Sequence, residues 1–206
     1  MTRTHASLAL TNRVFISENS HFPVRKWTVS NCQFLVDNGL LDPASFELIE
    51  GEIVAKMGQG RKHISVVSRV SDWLREVFPR AVQDQAPIGI GQFDEYNDPE
   101  PDIAVVRGKV TDYSEREPVP SADILLCVEA SKTTLLGDKT TKSRIYGKHG
   151  VPEYWVIAID LRELIVYREP NVAEGGYADV RIYVENETVS PLACPDATIA
   201  VADLLP

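Results

Sequence analysis

Apolar positions along the chain change period several times, and each change marks a boundary between helix and strand. After Ser30, read as an N-cap, Phe34 and Leu35 share one face of a short helix that should stop near Asn38-Gly39, ahead of Pro43. Phe46–Glu50 and Glu52–Lys56 flank Gly51 with strand-like residues, a hairpin pattern in which glycine supplies the positive φ of the turn. Ile64, Val67, Val70, Leu74, Val77 and Phe78 recur at helical spacing up to Pro79. Strands are predicted at Ala81–Gln85, Ile103–Arg107, Ile124–Glu129, Glu153–Ile159 and Glu163–Tyr167, and a helix from Asp138 as N-cap to His149, with Gly150 as its stop. Ile124–Val128 is apolar at every position, the mark of a central strand covered on both faces. From Tyr177 onward the pattern reads as peripheral strands ending in a short turn at Val201–Leu205.

These elements give an α/β (α+β) fold built on a mixed central sheet flanked by helices. The organisation expected is an irregular arm over residues 1–28 followed by one domain over 29–206, since 206 residues suffice for one sizeable core. No apolar run approaches the ~20 residues of a membrane span, and the start of the chain has too short an apolar run for a signal peptide. Cys32, Cys127 and Cys194 are odd in number and far apart, which speaks against a disulfide framework or a zinc site and for a reducing cytoplasm. A net charge of −9 argues against a simple nucleic-acid binder. Between Ala130 and Gly150, however, Lys132, Lys139, Lys142, Arg144 and Lys148 face only one acid, Asp138.

Three residue types then carry candidate chemistry. Asp102 follows Pro101 at the mouth of the Ile103 strand, and Glu129 closes the apolar strand before it, where a carboxylate is costly to bury without a cation or donor. Two such acids on neighbouring strands could share a metal, and Mg²⁺ needs only one or two protein carboxylates beside waters and phosphate oxygens. On the following helix Lys142, Ile145, Tyr146 and His149 form one stripe, so Lys142 is placed to point at the sheet, with Lys139 as the fallback. Tyr154 and Trp155, beside an apolar strand, read as core rather than as a base-stacking platform. The acidic run Asp94–Asp98 lacks the ligand spacing of a calcium loop and reads as a solvated loop.

Phe46–Ile53, Pro99–Val106, Val128–Ser131, Asp138 through Lys142 to Tyr146, and Gly150–Trp155 form five segments spread over about Phe46 to Pro170. Together they resemble the Uma-two family of endonucleases, within the PD-(D/E)XK, or restriction-endonuclease-like, superfamily. The resemblance implies a mixed sheet of four or five strands, with Asp102 and Glu129 as the paired metal-binding acids, Mg²⁺ (or Mn²⁺) as cofactor and DNA as substrate. Where the superfamily's E-x-K would have lysine this chain has Ser131, and Lys142 matches a lysine moved onto the next helix. His63 and Glu52 match supporting positions, and Ser131 and Tyr146 flank the same site. The reading is a metal-dependent endodeoxyribonuclease; its oligomeric state is open, a two-fold homodimer being the commonest soluble assembly and one that would let two basic helices act on one duplex. Its rival is a catalytically inactive nuclease-fold module that binds nucleic acid or a protein partner. A Ser/His hydrolase is set aside because no G-x-S-x-G elbow occurs.

Overall fold

The computed structural model describes residues 15–16, 23–56, 60–90, 94–113 and 118–206. They fall into two compact units, one drawn from residues 1–57 and 92–98, the other from 58–91 and 99–206. The arm expected over residues 1–28 lies largely outside the described residues; a two-residue ladder pairs Phe15 with Val24.

In the first unit helix α1 spans Val29–Asp37. Its cap is Thr28 rather than Ser30: Thr28 Oγ1 accepts from the Asn31 N–H at 3.2 Å while Asn31 Oδ1 accepts from the Thr28 N–H at 3.3 Å, and the Ser30 hydroxyl is engaged with Thr28 Oγ1 instead. Strands β1 (Phe46–Ile49) and β2 (Glu52–Ala55) form the expected hairpin, with positive φ at both Glu50 and Gly51 as its two-residue turn requires. The acidic run corrects the solvated-loop expectation. It lies along this hairpin, where Asp98 N–H donates to the Leu48 carbonyl, Gly51 N–H to the Tyr96 carbonyl, and Glu50 N–H to Asn97 Oδ1, so its backbone polarity is satisfied by the turn.

The second unit holds helix α2 (Arg61–Val77) and a six-stranded sheet of β3 (Val82–Asp84), β4 (Ile103–Val106), β5 (Ile124–Ser131), β6 (Glu153–Ala158), β7 (Glu163–Pro170) and β8 (Tyr177–Val184). Across the sheet the order is β8-β7-β6-β5-β4-β3, with every neighbouring pair antiparallel except β5 and β6. Six strands replace the four or five implied by the resemblance, because the segment read as peripheral pairs with β7 from Asp179 to Val184 and again at Tyr177. Helix α2 buries Val66, Val70, Ser71 and Leu74, while Ile64 is exposed, so its inward stripe is rotated from the one read in the sequence. Trp73 of α2 stacks on Trp155 of β6 at 6.2 Å, covering one face.

The other face receives the segment that joins β5 to the parallel β6. It begins with an α-turn at Leu135–Gly137, continues through a π-turn at Asp138–Lys142, and ends as helix α3 (Ser143–Lys148). Tyr146 packs edge-on against Tyr154, 4.9 Å away. With both faces covered, every residue of β6 is buried, and Tyr154 and Trp155 are core as expected. The segment reaches its place through a close backbone approach: a Cβ on Gly147 would lie 1.9 Å from the Gly176 carbonyl oxygen. Gly147→Ala should therefore push α3 away from the β7–β8 connection and destabilise the protein by about 1–3 kcal/mol, read as a lowered denaturant midpoint at unchanged slope.

Candidate active site

Asp102 stands just before β4, and the antiparallel register that sets Ile103 opposite Val128 brings it level with Glu129. Its Oδ2 accepts from the Ala130 N–H at 2.8 Å and meets His63 Nε2 at 3.1 Å. The neighbouring strand thus grips this carboxylate by its backbone, and the first turn of α2 grips it by a side chain. Both partners are mostly buried, at 17% exposure for the His63 side chain and 14% for Asp102. The hydrogen bond to Asp102 raises the His63 pKa above its ordinary value, against the opposing effect of burial, and the charges of Asp102 and Asp138 add to the rise. His63 Nδ1 is buried without a hydrogen-bond partner.

Glu129 does not end its strand, as the sequence suggested. Ala130 and Ser131 continue the ladder with β6, which leaves Glu129 paired with Val156 inside the sheet and only 5% exposed. A carboxylate there requires a cation and donors. Lys142 supplies the first, with Nζ 2.7 Å from Oε1, and Tyr146 donates its hydroxyl to the same oxygen at 3.2 Å. The inward stripe read from the sequence therefore delivers Lys142 and Tyr146 together. His149 does not join them, since its Nδ1 lies against the Ile145 carbonyl at 2.8 Å.

Lys142 reaches the sheet from the last position of the π-turn, and that turn has its own anchor. Asp138, expected as the helix N-cap, is instead its first residue and is 4% exposed. Asp138 Oδ2 accepts from Ser131 Oγ and from Thr134 Oγ1, both at 2.6 Å, while the Asp138 carbonyl accepts from the Tyr154 hydroxyl at 3.1 Å. Ser131, which stands where E-x-K would place lysine, thus holds the segment that carries the lysine. Asp138 and Thr134 are the site residues the sequence reading missed as such; the signal available was a Thr four residues ahead of an Asp just after an apolar strand. Lys139 contributes its carbonyl, accepting from Ser143 Oγ and the Tyr167 hydroxyl. Lys132, Arg144 and Lys148 are exposed along the same segment. Glu52 belongs to the other unit, where it is exposed on β2.

Asp102, just ahead of β4, and Glu129, within β5, are thus brought level by the fold. Among the described residues no group of three or more His, Cys, Asp or Glu is arranged to hold a metal ion. None of their helices is long and apolar enough to cross a membrane.

Comparison with known proteins gives a family. No curated protein matches the chain. Among solved structures, one described as a putative nuclease belonging to DUF820 from Anabaena variabilis ATCC 29413 shares its fold at a TM-score of 0.61, with 20% identity over 82% of this chain and 94% of that one. The model of the Uma2 family, described as "Putative restriction endonuclease", matches residues 40–202. That span takes in α2, the whole six-stranded sheet and the carboxylate pair with its lysine, and the chain therefore belongs to the Uma2 family of restriction-endonuclease-like proteins.

Proposed function

We propose that the protein is a metal-dependent endonuclease that hydrolyses phosphodiester bonds in DNA, with Asp102 and Glu129 as metal ligands and Lys142 as the catalytic cation. The observation that carries this reading is the placement of Lys142 Nζ at 2.7 Å from Glu129, beside an Asp102 that is itself fixed to the next backbone N–H of the same strand. A pair of carboxylates offers oxygen donors alone, which suits Mg²⁺, an ion that keeps several waters and takes oxygen donors from substrate phosphate, better than it suits zinc. When bound, the ion supplies charge stabilisation at a phosphate oxygen and makes a water more acidic; Mn²⁺ accepts the same donors.

The chain's own residues do the rest. Lys142 holds a positive charge where negative charge builds on the phosphoryl oxygens, and it orients the attacking water. Tyr146 fixes the Glu129 carboxylate, and Ala130 N–H with His63 fixes that of Asp102. Ser131 acts as a positioning residue through Asp138, holding the π-turn that aims Lys142. The exposed Lys132, Arg144 and Lys148 offer phosphate contacts in a chain that is acidic as a whole. Three unpaired cysteines suit a reducing cytoplasm.

Cleavage of supercoiled plasmid, single-stranded DNA and RNA, with Mg²⁺, Mn²⁺ or EDTA, tests the proposal. Wild type should cut DNA only with metal, and Glu129→Gln and Lys142→Ala should each lose about 100-fold or more in rate while remaining folded. Gln is preferred to Ala at position 129 because it keeps a partner for the Lys142 ammonium. Metal-independent cutting, or equal cutting by wild type and variants, would sink the assignment. Folded wild type that neither cuts nor gains stability from metal would leave the inactive binding module standing.

Ser131→Ala should lower kcat with KM little changed and cost about 1–3 kcal/mol of stability, since it removes a donor from the buried Asp138. Ser131→Thr, which retains the hydroxyl, should recover most of both; failure to recover would remove Ser131 from the positioning role.

His63 gives a pH signature in metal-free buffer. Its folded-state pKa is raised, so the stability it contributes is fully present below its unfolded pKa of about 6.5 and is lost as pH rises through the raised folded value. The difference in melting temperature between wild type and His63→Gln should accordingly be largest in mild acid and shrink above neutrality. A difference that does not vary with pH would show that the imidazolium–Asp102 pair is not its source.

A further inference from the structure

Strand β8 is the outermost strand of the six-stranded sheet, and it is eight residues long. Val180, Ile182 and Val184 alternate along it on one face, exposed at 51%, 51% and 45%. Asp179 and Arg181 are exposed between them on the other face. The direction of its free backbone groups can be read at its end. Val184 N–H donates to Glu187 Oε2 and the Val184 carbonyl accepts from the Glu187 N–H, so both groups of Val184 point away from β7. By the two-residue period of a strand, the N–H and C=O groups of Ala178, Val180 and Ile182 point outward as well. Natural edge strands are usually protected by charged side chains, lysine above all, by proline, by a bulge or by a covering segment. Over Tyr177–Val184 there is neither lysine nor proline; its charged side chains are Asp179 and Arg181, and from Asp179 to Val184 it pairs residue for residue with β7.

We propose that β8 is the docking edge for a second copy of this chain, paired antiparallel about a two-fold axis at Val180. Charge selects that register. Centred on Val180, the pairing sets Asp179 of each copy opposite Arg181 of the other, so two attractive cross-strand pairs form per dimer. It also sets Val180 against Val180, Ala178 against Ile182 and Tyr177 against Tyr183. Sliding the centre to Arg181 opposes two arginines, sliding it to Asp179 opposes two aspartates, and centring it on Ile182 sets Asp179 against Glu185. Arg181 is already oriented, with its guanidinium 4.4 Å from the Tyr183 ring centre and 3.1 Å from Glu187, while Asp179 has no side-chain partner among the described residues. The outward backbone groups of residues 178, 180 and 182 all find partners in this register. The apolar ridge then becomes continuous across the two copies, and a perpendicular two-fold axis leaves both Glu129 residues on the same side of a doubled sheet.

Sedimentation of the full chain over a concentration series decides the matter, with circular dichroism confirming that each variant is folded. Wild type should dimerise. Val180→Lys, which brings two ammonium groups together on the axis and leaves Arg181 and its contacts untouched, should abolish the dimer. Asp179→Arg and Arg181→Asp should each raise the dimer Kd about tenfold or more, and the double variant Asp179→Arg/Arg181→Asp should return it to within about threefold of wild type. A wild type that stays monomeric to about 100 μM overturns the proposal. So does a dimer that ignores Val180→Lys, or a double variant no better than the single ones. None of these variants touches the carboxylates or Lys142, so the outcome is independent of whether the protein cuts DNA.

Discussion

A carboxylate inside a sheet covered on both faces must be neutralised from within the fold, and the need to neutralise Glu129 organises much of what surrounds it. Water cannot solvate a group 5% exposed, so the charge has to arrive on a side chain long enough to cross from the covering layer to the sheet. Lys142 does so, and its placement then dictates the path of the chain between β5 and β6. A regular helix beginning at Asp138 would leave that residue an exposed cap. The π-turn instead draws Asp138 inward, where Ser131, Thr134 and Tyr154 fasten it, and the lysine follows at the end of the same turn. Such turns are uncommon and recur at functional sites, in keeping with the small misfit they introduce.

Glu153 is the second fully enclosed acid of the sheet, and its partners differ in kind from those of Glu129. It is 0% exposed on the opposite face, but its Oε1 accepts from the Arg168 guanidinium and the Trp155 indole, and its Oε2 from the Leu192 N–H. A planar fork, an indole and a backbone amide form a rigid cage that joins β6 and β7 to the segment at Leu192. The partner of Glu129 is a lysine, a point charge on a flexible stem with a side chain 12% exposed; in the endonuclease proposed above, that freedom would let it shift toward an incoming phosphate as the glutamate accepted another cation. Burial alone does not separate the two acids; the stiffness of their partners does.

Much of this arrangement was legible in the residues. Uniform apolarity at Ile124–Val128 revealed a strand covered on both faces, and the helical stripe of Lys142 with Tyr146 revealed a lysine turned toward it. The parts that stayed hidden depend on contacts between residues far apart in sequence. A hydrophobic pattern cannot distinguish a helix capped by Asp138 from one that starts earlier and buries it, because the difference lies in two hydroxyls, one of them across the strand end at Ser131. The rotation of α2 was missed for a similar reason. Val66 and Ser71 face inward because Trp73 must meet Trp155 and Ser71 must meet Asp84, and neither partner is visible from within the helix. The strand count was short by one because Tyr177–Val184 buries little of its own surface, and burial is what a hydrophobic pattern reports.

The same exposed strand bears on how an acidic chain could act on a polyanion. Beyond the Debye length of about 8–10 Å salt largely screens the net charge of the chain, and inside that distance the local arrangement of charge decides. Here the exposed cations Lys132, Arg144 and Lys148 belong to the one segment that also delivers Lys142. A single copy presents one such segment against an overall charge of −9. Two copies joined edge to edge through β8 would present two of them on one side of a continuous sheet, along with both carboxylate pairs. Counterion release grows with the number of phosphates neutralised together, so the pairing would strengthen binding to a long duplex far more than to a short single strand.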